Sequence, residues 1–365
     1  MFNVILILHD LRRRRYYIMK ALRFLLIFVP ISFIAEFMHV SGTAMFVLSA
    51  LAIIPLAGLM GEATEEISFF TGPRIGGFLN ATFGNATELI IAFFAMRAGL
   101  FEVVKASLAG SVIGNTLLVL GLSMLVGGLK HKNQTFNQEA VEVSASMLLF
   151  AMIGLIVPAV FTHTVSPDLL ATRYEGLSVM VAVIMFVIYI FSLIFSFYTH
   201  KDLYSLDHSQ ESTAKWSVKT AALVLIAATV LIGFESEFFV SAVEPMTQTM
   251  GLSEFFVGII LVPLIGNAAE HSTAVVMAYK NKMDVAIEIA LGSSLQIILF
   301  VMPVLVFLSL LFTPMSIVFN EFELIALFFS VLIANRVAND GQSNWLEGAQ
   351  LLAVYAVMGA CFFII

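Results

Sequence analysis

Apolar runs of about 20 residues, parted by short polar connections, repeat along the whole chain. Runs of this length cross a hydrocarbon core as helices. They predict spans at 24–38, 43–66, 74–97, 102–128, 141–161, 176–198, 217–243, 254–279, 284–311, 315–334 and 345–364. The expected fold class is all-α: a polytopic membrane protein with eleven transmembrane helices. The longest connections are 162–175 and 199–216, and no stretch remains for a sizeable soluble domain. A basic stretch, Arg12 to Arg15 with Lys20 and Arg23, precedes the first run. A signal peptide has the same pattern. No small-residue cleavage site follows, however, and the next run begins almost at once, so an uncleaved first span is expected.

Charge sharpens this picture. Only 12% of the 365 residues are charged and 60% are hydrophobic, against about 25% charged in average soluble domains. Placement says more than the formal net charge of −7. With the N-terminus in the cytoplasm and the spans alternating, 15 of the 18 Lys and Arg fall on the cytoplasmic side, leaving Arg97, Lys105 and Arg173 outside. Lys and Arg accumulate in cytoplasmic loops. The expectation is a prokaryotic cytoplasmic membrane, N-terminus inside, C-terminus outside. Cys361 is the single cysteine, so neither a disulfide framework nor a thiolate metal cluster forms within one chain.

Two apolar runs carry a carboxylate within the same short motif. Gly84-Asn85-Ala86-Thr87-Glu88 recurs as Gly266-Asn267-Ala268-Ala269-Glu270. An ionisable group at membrane depth costs roughly 2.5–3.5 kcal/mol on insertion scales and marks a candidate functional site. Sliding the chain by the 182 positions between Glu88 and Glu270 also matches Gly76 to Gly258, Gly110 to Gly292 and Ser111 to Ser293. The offset carries five spans, an odd number, so the second copy is expected upside down. The expected plan is a basic N-terminus and first span (1–40), a five-helix repeat (41–199), a cytoplasmic loop (200–216) and an inverted five-helix repeat (217–365). Inverted repeats with a midplane site are common among secondary transporters.

Positions i and i+3 share a helix face, so Asn85 points with Glu88 and Asn267 with Glu270. Glycines before each pair, and Pro263 before the second, loosen the helix and free backbone carbonyls, which membranes tolerate only where they line a cavity. The resulting oxygen donor set suits Ca²⁺; zinc and copper prefer His and Cys. His271 reads either as a proton carrier or as a hydrogen-bonded packing residue. One span later, Ser111 and Asn115 pair with Ser293 and Gln296. An amide in an apolar span needs partners, and these residues read as a second layer of the pathway. Glu62, with Glu65 and Glu66, closes span 2. Glu244, with Glu235 and Glu237, lies toward the outer end of span 7. Glu62 maps onto Glu244, so these acids read either as one mouth per membrane face or as solvated helix ends.

The double motif closely resembles the signature repeats of the calcium/cation antiporter superfamily, in its cation/proton exchanger branch. The likeness extends through Gly110–Asn115 and Gly292–Gln296. It implies Ca²⁺/H⁺ exchange by alternating access, with Glu88 and Glu270 binding Ca²⁺ and H⁺ in turn. Asn85, Asn267, Ser111, Asn115, Ser293 and Gln296 would surround the pathway, and spans 2 and 7 would slide as gates. No cofactor is implied, Ca²⁺ and H⁺ being substrates. Family members often carry a strongly acidic stretch between the halves; here 199–216 holds only Asp202, Asp207 and Glu211. Beside the lipid bilayer no nucleic-acid partner is expected, and a homo-oligomer is left open. Na⁺/Ca²⁺ or other divalent exchange on the same fold is the first alternative and a cation channel the second. No nucleophile-base set or intramembrane His-Glu metal motif points to an enzyme.

Overall fold

The computed structural model describes residues 24–164, 167–201, 203 and 214–364. The basic residues before Phe24 and the loop acids Asp202, Asp207 and Glu211 lie outside them.

Helices occupy every expected segment. They are α1 (Leu25–Phe37), α2 (Gly42–Gly72), α3 (Ile75–Arg97), α4 (Phe101–His131), α5 (Gln138–Thr162), α6 (Glu175–Thr199), α7 (Val218–Ser241), α8 (Val243–Met250), α9 (Glu254–Gly266), α10 (Ala268–Tyr279), α11 (Met283–Ser309), α12 (Glu321–Val337) and α13 (Trp345–Ile364). The chain is an integral, multi-pass, all-α membrane protein. Among the described residues eight helices are long and apolar enough to cross a membrane, or nine if the bent pair α8–α9 is one span. The expected count of eleven is therefore not reached by that measure, for three local reasons. Helix α1 is short. Helix α12 starts at Glu321, not near 315, because Asn320 and Glu323 form a reciprocal capping box that fixes its first turn. The span expected at 254–279 is broken at Asn267, whose φ of −96° and ψ of 7° end one helix and open the next.

Helix α8 is a second departure. It folds as a separate segment, bent 118° from α9. Gly251, at φ 67°, supplies the left-handed residue that ends it.

The bundle is built around α4 and α11, whose buried faces supply more of the apolar core than any other two helices. Helix α2 packs along α7. Their junction is fixed by Glu66, which accepts hydrogen bonds from the backbone N–H groups of Lys215 (2.8 Å) and Trp216 (3.0 Å). Two short strands, β1 (Asn133–Thr135) and β2 (Gln342–Asn344), pair antiparallel with Gln134 opposite Ser343. From β1, buried Gln134 donates to Ala278 O (2.8 Å) and Asn281 Oδ1 (3.0 Å), fastening the end of α10.

The 182-residue offset reappears in the backbone. The segment Ala86–Arg97 maps onto Ala268–Tyr279 end for end. Each is followed by one left-handed residue, Gly99 (φ 81°) and Asn281 (φ 61°); Asn is among the few side chains that tolerate that region.

Candidate cation-binding site

Both motif helices break at the motif asparagine. Asn85 (φ −103°, ψ 18°) and Asn267 (φ −96°, ψ 7°) leave the helix and restart it at Ala86 and Ala268. Glu88 and Glu270 thus sit in the first turn of a new helix, where free backbone N–H groups and the helix dipole favour negative charge. The preceding glycines let the halves meet. A Cβ on Gly84 would lie 3.3 Å from Glu270 Oε1, and a Cβ on Gly266 would lie 3.4 Å from Glu88 Oε1. Each carboxyl group therefore rests against the glycine of the other motif. The two are also within electrostatic reach of each other.

The second layer interlocks in the same crossed manner. Asn267 Nδ2 donates to Ser111 Oγ (3.2 Å), and Ser293 Oγ lies 3.2 Å from Asn85 Oδ1. Ser293 Oγ is also 2.6 Å from Glu270 Oε2. Asn85 Nδ2 donates to Gln296 Oε1. His271 Nε2 is 3.1 Å from Asn115 Oδ1. Asn115 lies in a π-helical turn, Gly114–Val119, and Gln296 immediately precedes another, Ile297–Val301. Such turns are frequent at functional sites because they re-aim side chains and free carbonyls.

The structure thus gathers Glu88, Glu270, Asn85, Asn267, Ser111, Asn115, Ser293, Gln296 and His271. Asn85, Asn115, Asn267, Glu88, Ser111 and Ser293 are all buried. Both oxygens of Glu88 and Asn267 Oδ1 are buried without a hydrogen-bond partner. Unpartnered buried acceptors are costly, and three of them beside a second carboxylate fit a cation or protons. Among the described residues no group of three or more His, Cys, Asp and Glu side chains is placed to hold a metal ion, and the donor set here is two carboxylates with amide and hydroxyl oxygens. That composition suits a hard cation with oxygen ligands.

The expected mouth acids do not join this cluster. Glu62 is half-buried on α2, and Glu244 is exposed on α8, where it accepts from Gln248 Nε2 (3.2 Å). Glu66 is a helix anchor rather than a mouth residue. Glu235 is fully buried, with Ser32 Oγ 2.5 Å from its Oε1. Its signal was present in the sequence: Ala221, Leu225, Ala228, Ile232, Glu235 and Phe239 recur at helical spacing on one buried face. Glu288, an exposed carboxylate within α11, also escaped the sequence reading.

The family model described as sodium/calcium exchanger protein matches residues 41–198 and 220–364. A Ca²⁺/H⁺ antiporter of Aphanothece halophytica is 46% identical over 355 residues, 93% of this chain and 95% of that protein. The Ca²⁺/H⁺ antiporter ChaA of Bacillus subtilis is 46% identical over 343 residues, 92% and 97% of the two chains. The solved structure of native YfkE superposes with a TM-score of 0.82 at 42% identity, covering 94% of this chain and 100% of that one. A structure titled H⁺/Ca²⁺ exchanger CAX shares the fold at 14% identity, with a TM-score of 0.71. With its two matched motifs brought together in one buried cluster, the chain belongs to the sodium/calcium exchanger family, in the cation/proton exchanger branch of the calcium/cation antiporters.

Proposed function

We propose that the chain is a secondary transporter that exchanges Ca²⁺ for H⁺ across the cytoplasmic membrane, with Glu88 and Glu270 as the exchanging pair. The observation that carries the reading is the crossed packing of these carboxyl groups on Gly266 and Gly84, with the Glu88 oxygens buried and unpartnered. The antiporter names of relatives at 46% identity support the ion pair.

The physics of exchange follows from the pair. Two nearby carboxylates in a low-dielectric site cannot both ionise cheaply. One Ca²⁺ neutralises both charges, and so do two protons. The empty, doubly charged site is the costly state, and a carrier that cannot reorient while empty must exchange. At two protons per Ca²⁺ the cycle is electroneutral. One pH unit then supplies about 2.7 kcal/mol, enough for roughly a hundredfold Ca²⁺ ratio.

We assign Asn85, Asn267, Ser111, Asn115, Ser293 and Gln296 to the pathway wall, and His271 to holding Asn115. The two halves act as inverted repeats, with the N-terminus inside. In this reading the conformation faces the cytoplasm. Glu270, on the cytoplasmic side of the break, is half-buried, whereas Glu88 is 7% exposed.

The test is Ca²⁺ uptake into everted vesicles under an imposed pH gradient, with and without Na⁺. Uptake that saturates, follows the gradient and ignores Na⁺ supports the proposal. Uptake that requires Na⁺ replaces it with Na⁺/Ca²⁺ exchange, and non-saturating flux without a counter-ion replaces it with a channel.

A further inference from the structure

Glu235 lies outside the exchanging cluster, yet among the described residues it is the carboxyl side chain with the least solvent exposure, 0%. It sits on α7 facing α1, the helix left outside the proposed repeats. Among the described residues its one hydrogen-bonding neighbour is Ser32 of α1. The charged residues flanking this joint on the helices packed around it, Glu36 on α1, Arg97 on α3, Glu237 on α7 and Glu244 on α8, are all exposed, and Glu88 of α3 belongs to the ion site. Phe33, next to Ser32, packs edge-on against Phe234 and Phe238, with ring centroids 5.7 and 5.2 Å away. Val29 and Ile232 share the apolar cluster below.

Proton accounting at this joint is informative. Ser32 Oγ is 2.6 Å from Val29 O and 2.5 Å from Glu235 Oε1. A serine hydroxyl has one proton to donate, and a backbone carbonyl has none. One hydroxyl proton serves two acceptors only as a shared, weaker bond, whereas a proton on the carboxyl group gives each short contact its own. In that arrangement Ser32 donates to Val29 O, and Glu235 donates to Ser32. The other carboxyl oxygen is buried without a partner, which a neutral acid tolerates far better than a carboxylate.

We propose that Glu235 stays protonated throughout the transport cycle and, as a neutral hydrogen-bond donor, fastens α1 to α7 so that the two helices move as one body. This rests on the alternating-access reading above, in which α2 and α7 shift past the ion site. Glu235 is then a positioning residue and not one of the groups that trade protons for Ca²⁺. The leading helix becomes part of the moving unit.

Three measurements test this. In Cys361→Ser protein, cysteines replacing Phe33 and Phe234 are joined by a short bifunctional thiol reagent. Joined helices that still transport at the unjoined rate support the fastening; joining that stops transport shows that α1 and α7 slide past each other and overturns it. Glu235→Gln, which keeps a neutral donor, is expected to transport within about twofold of wild type with the same pH profile, while Glu235→Ala slows uptake by about tenfold through loss of one buried hydrogen bond. A shifted pH profile, or a Gln variant as slow as the Ala variant, overturns the assignment. Infrared spectra should show a protonated-carboxyl band that survives Ca²⁺ addition and mildly alkaline pH and is missing in Glu235→Gln. A band that titrates away overturns permanent protonation. The infrared and unjoined-cysteine controls separate the claims: if unjoined protein never exchanges Ca²⁺ for H⁺, the functional reading fails, while the band still reports on Glu235.

Discussion

The two halves of the molecule share the glycine pairs Gly76/Gly258 and Gly110/Gly292 and pack them differently. Where α4 crosses α9, the fit is tight. A Cβ on Gly110 would lie 2.0 Å from Ile259 O, and a Cβ on Gly258 would lie 2.8 Å from the Ala106 side chain. By the 182-residue offset the equivalent seam lies between α11 and the start of α3, and there the glycines do not meet the other helix. A Cβ on Gly292 would meet nothing within 4 Å, and Gly76 faces Ser68 of its own chain segment instead. The glycines are shared but their opposite faces are not: Ile259 and Pro263 on the tight seam correspond to Gly77 and Ala81 on the open one. One seam is shut and its counterpart is parted, as an alternating-access carrier requires of any single state. The counterpart of Ala106 is Glu288, an exposed acid on the open seam, so closing that seam must cover a carboxylate that the shut seam does not have.

The largest expected effect is at the paired carboxyl groups, where the halves should behave alike. Glu88→Gln and Glu270→Gln are each expected to abolish pH-driven Ca²⁺ uptake while the protein remains in the membrane. Near-wild-type transport by either variant would break the equivalence of the two motifs.

The seams should respond oppositely. Gly292→Leu meets empty space in this state, so folding stability should stay within about 0.5 kcal/mol, yet the added side chain obstructs closure of the α3–α11 seam. Turnover is expected to fall by about tenfold or more, with the protein held open on that face, as read by cysteine labelling at Ser272→Cys from the cytoplasmic side. Gly110→Leu collides with backbone in this state and is expected to reduce the labelling. Identical labelling in both variants would remove the two-seam interpretation.

Smaller losses are expected in the second layer. Asn85→Ala, Asn267→Ala and Gln296→Ala should weaken apparent Ca²⁺ affinity more than maximal rate, because an amide oxygen coordinates but carries no proton between sides. An unchanged affinity in Gln296→Ala would make that contact packing alone. The smallest effects concern Glu62 and Glu244. A surface carboxylate acts through a field screened within about 8 Å at physiological salt. Glu62→Gln should raise apparent KM modestly for Ca²⁺ offered from the cytoplasm, and Glu244→Gln for Ca²⁺ offered from the other face, both mainly at low ionic strength. Equal effects from both faces would return these residues to ordinary helix ends.

Much of this was legible in the chain. Apolar run length placed a helix in every expected segment, and the repeated Gly-Asn-Ala-X-Glu motif located the central cluster before any fold was known. What escaped depends on contacts distant in sequence or on local caps. The start of α12 is set by the Asn320–Glu323 box rather than by hydropathy. The break at Asn267 leaves the apolar run intact, so run length cannot show it. Glu235 read as a mouth acid because it lies near two exposed acids, and its burial comes from Ser32, 203 positions earlier. The unequal seams did not stand out because Gly110 and Gly292 match, while the differences beside them, Ala106 against Glu288 and Gly77 against Ile259, matter only once the helices are packed.

The central claim is that one pair of carboxyl groups carries Ca²⁺ one way and protons the other. Its most direct test is simultaneous recording of Ca²⁺ and H⁺ fluxes in liposomes holding the purified protein without Na⁺. The account predicts that Ca²⁺ added on one side drives protons out of the other at about two per Ca²⁺, with no membrane potential developing, and that Glu88→Gln and Glu270→Gln silence both fluxes together. Ca²⁺ movement that persists without proton counterflow, or proton flux that survives either substitution, would contradict it.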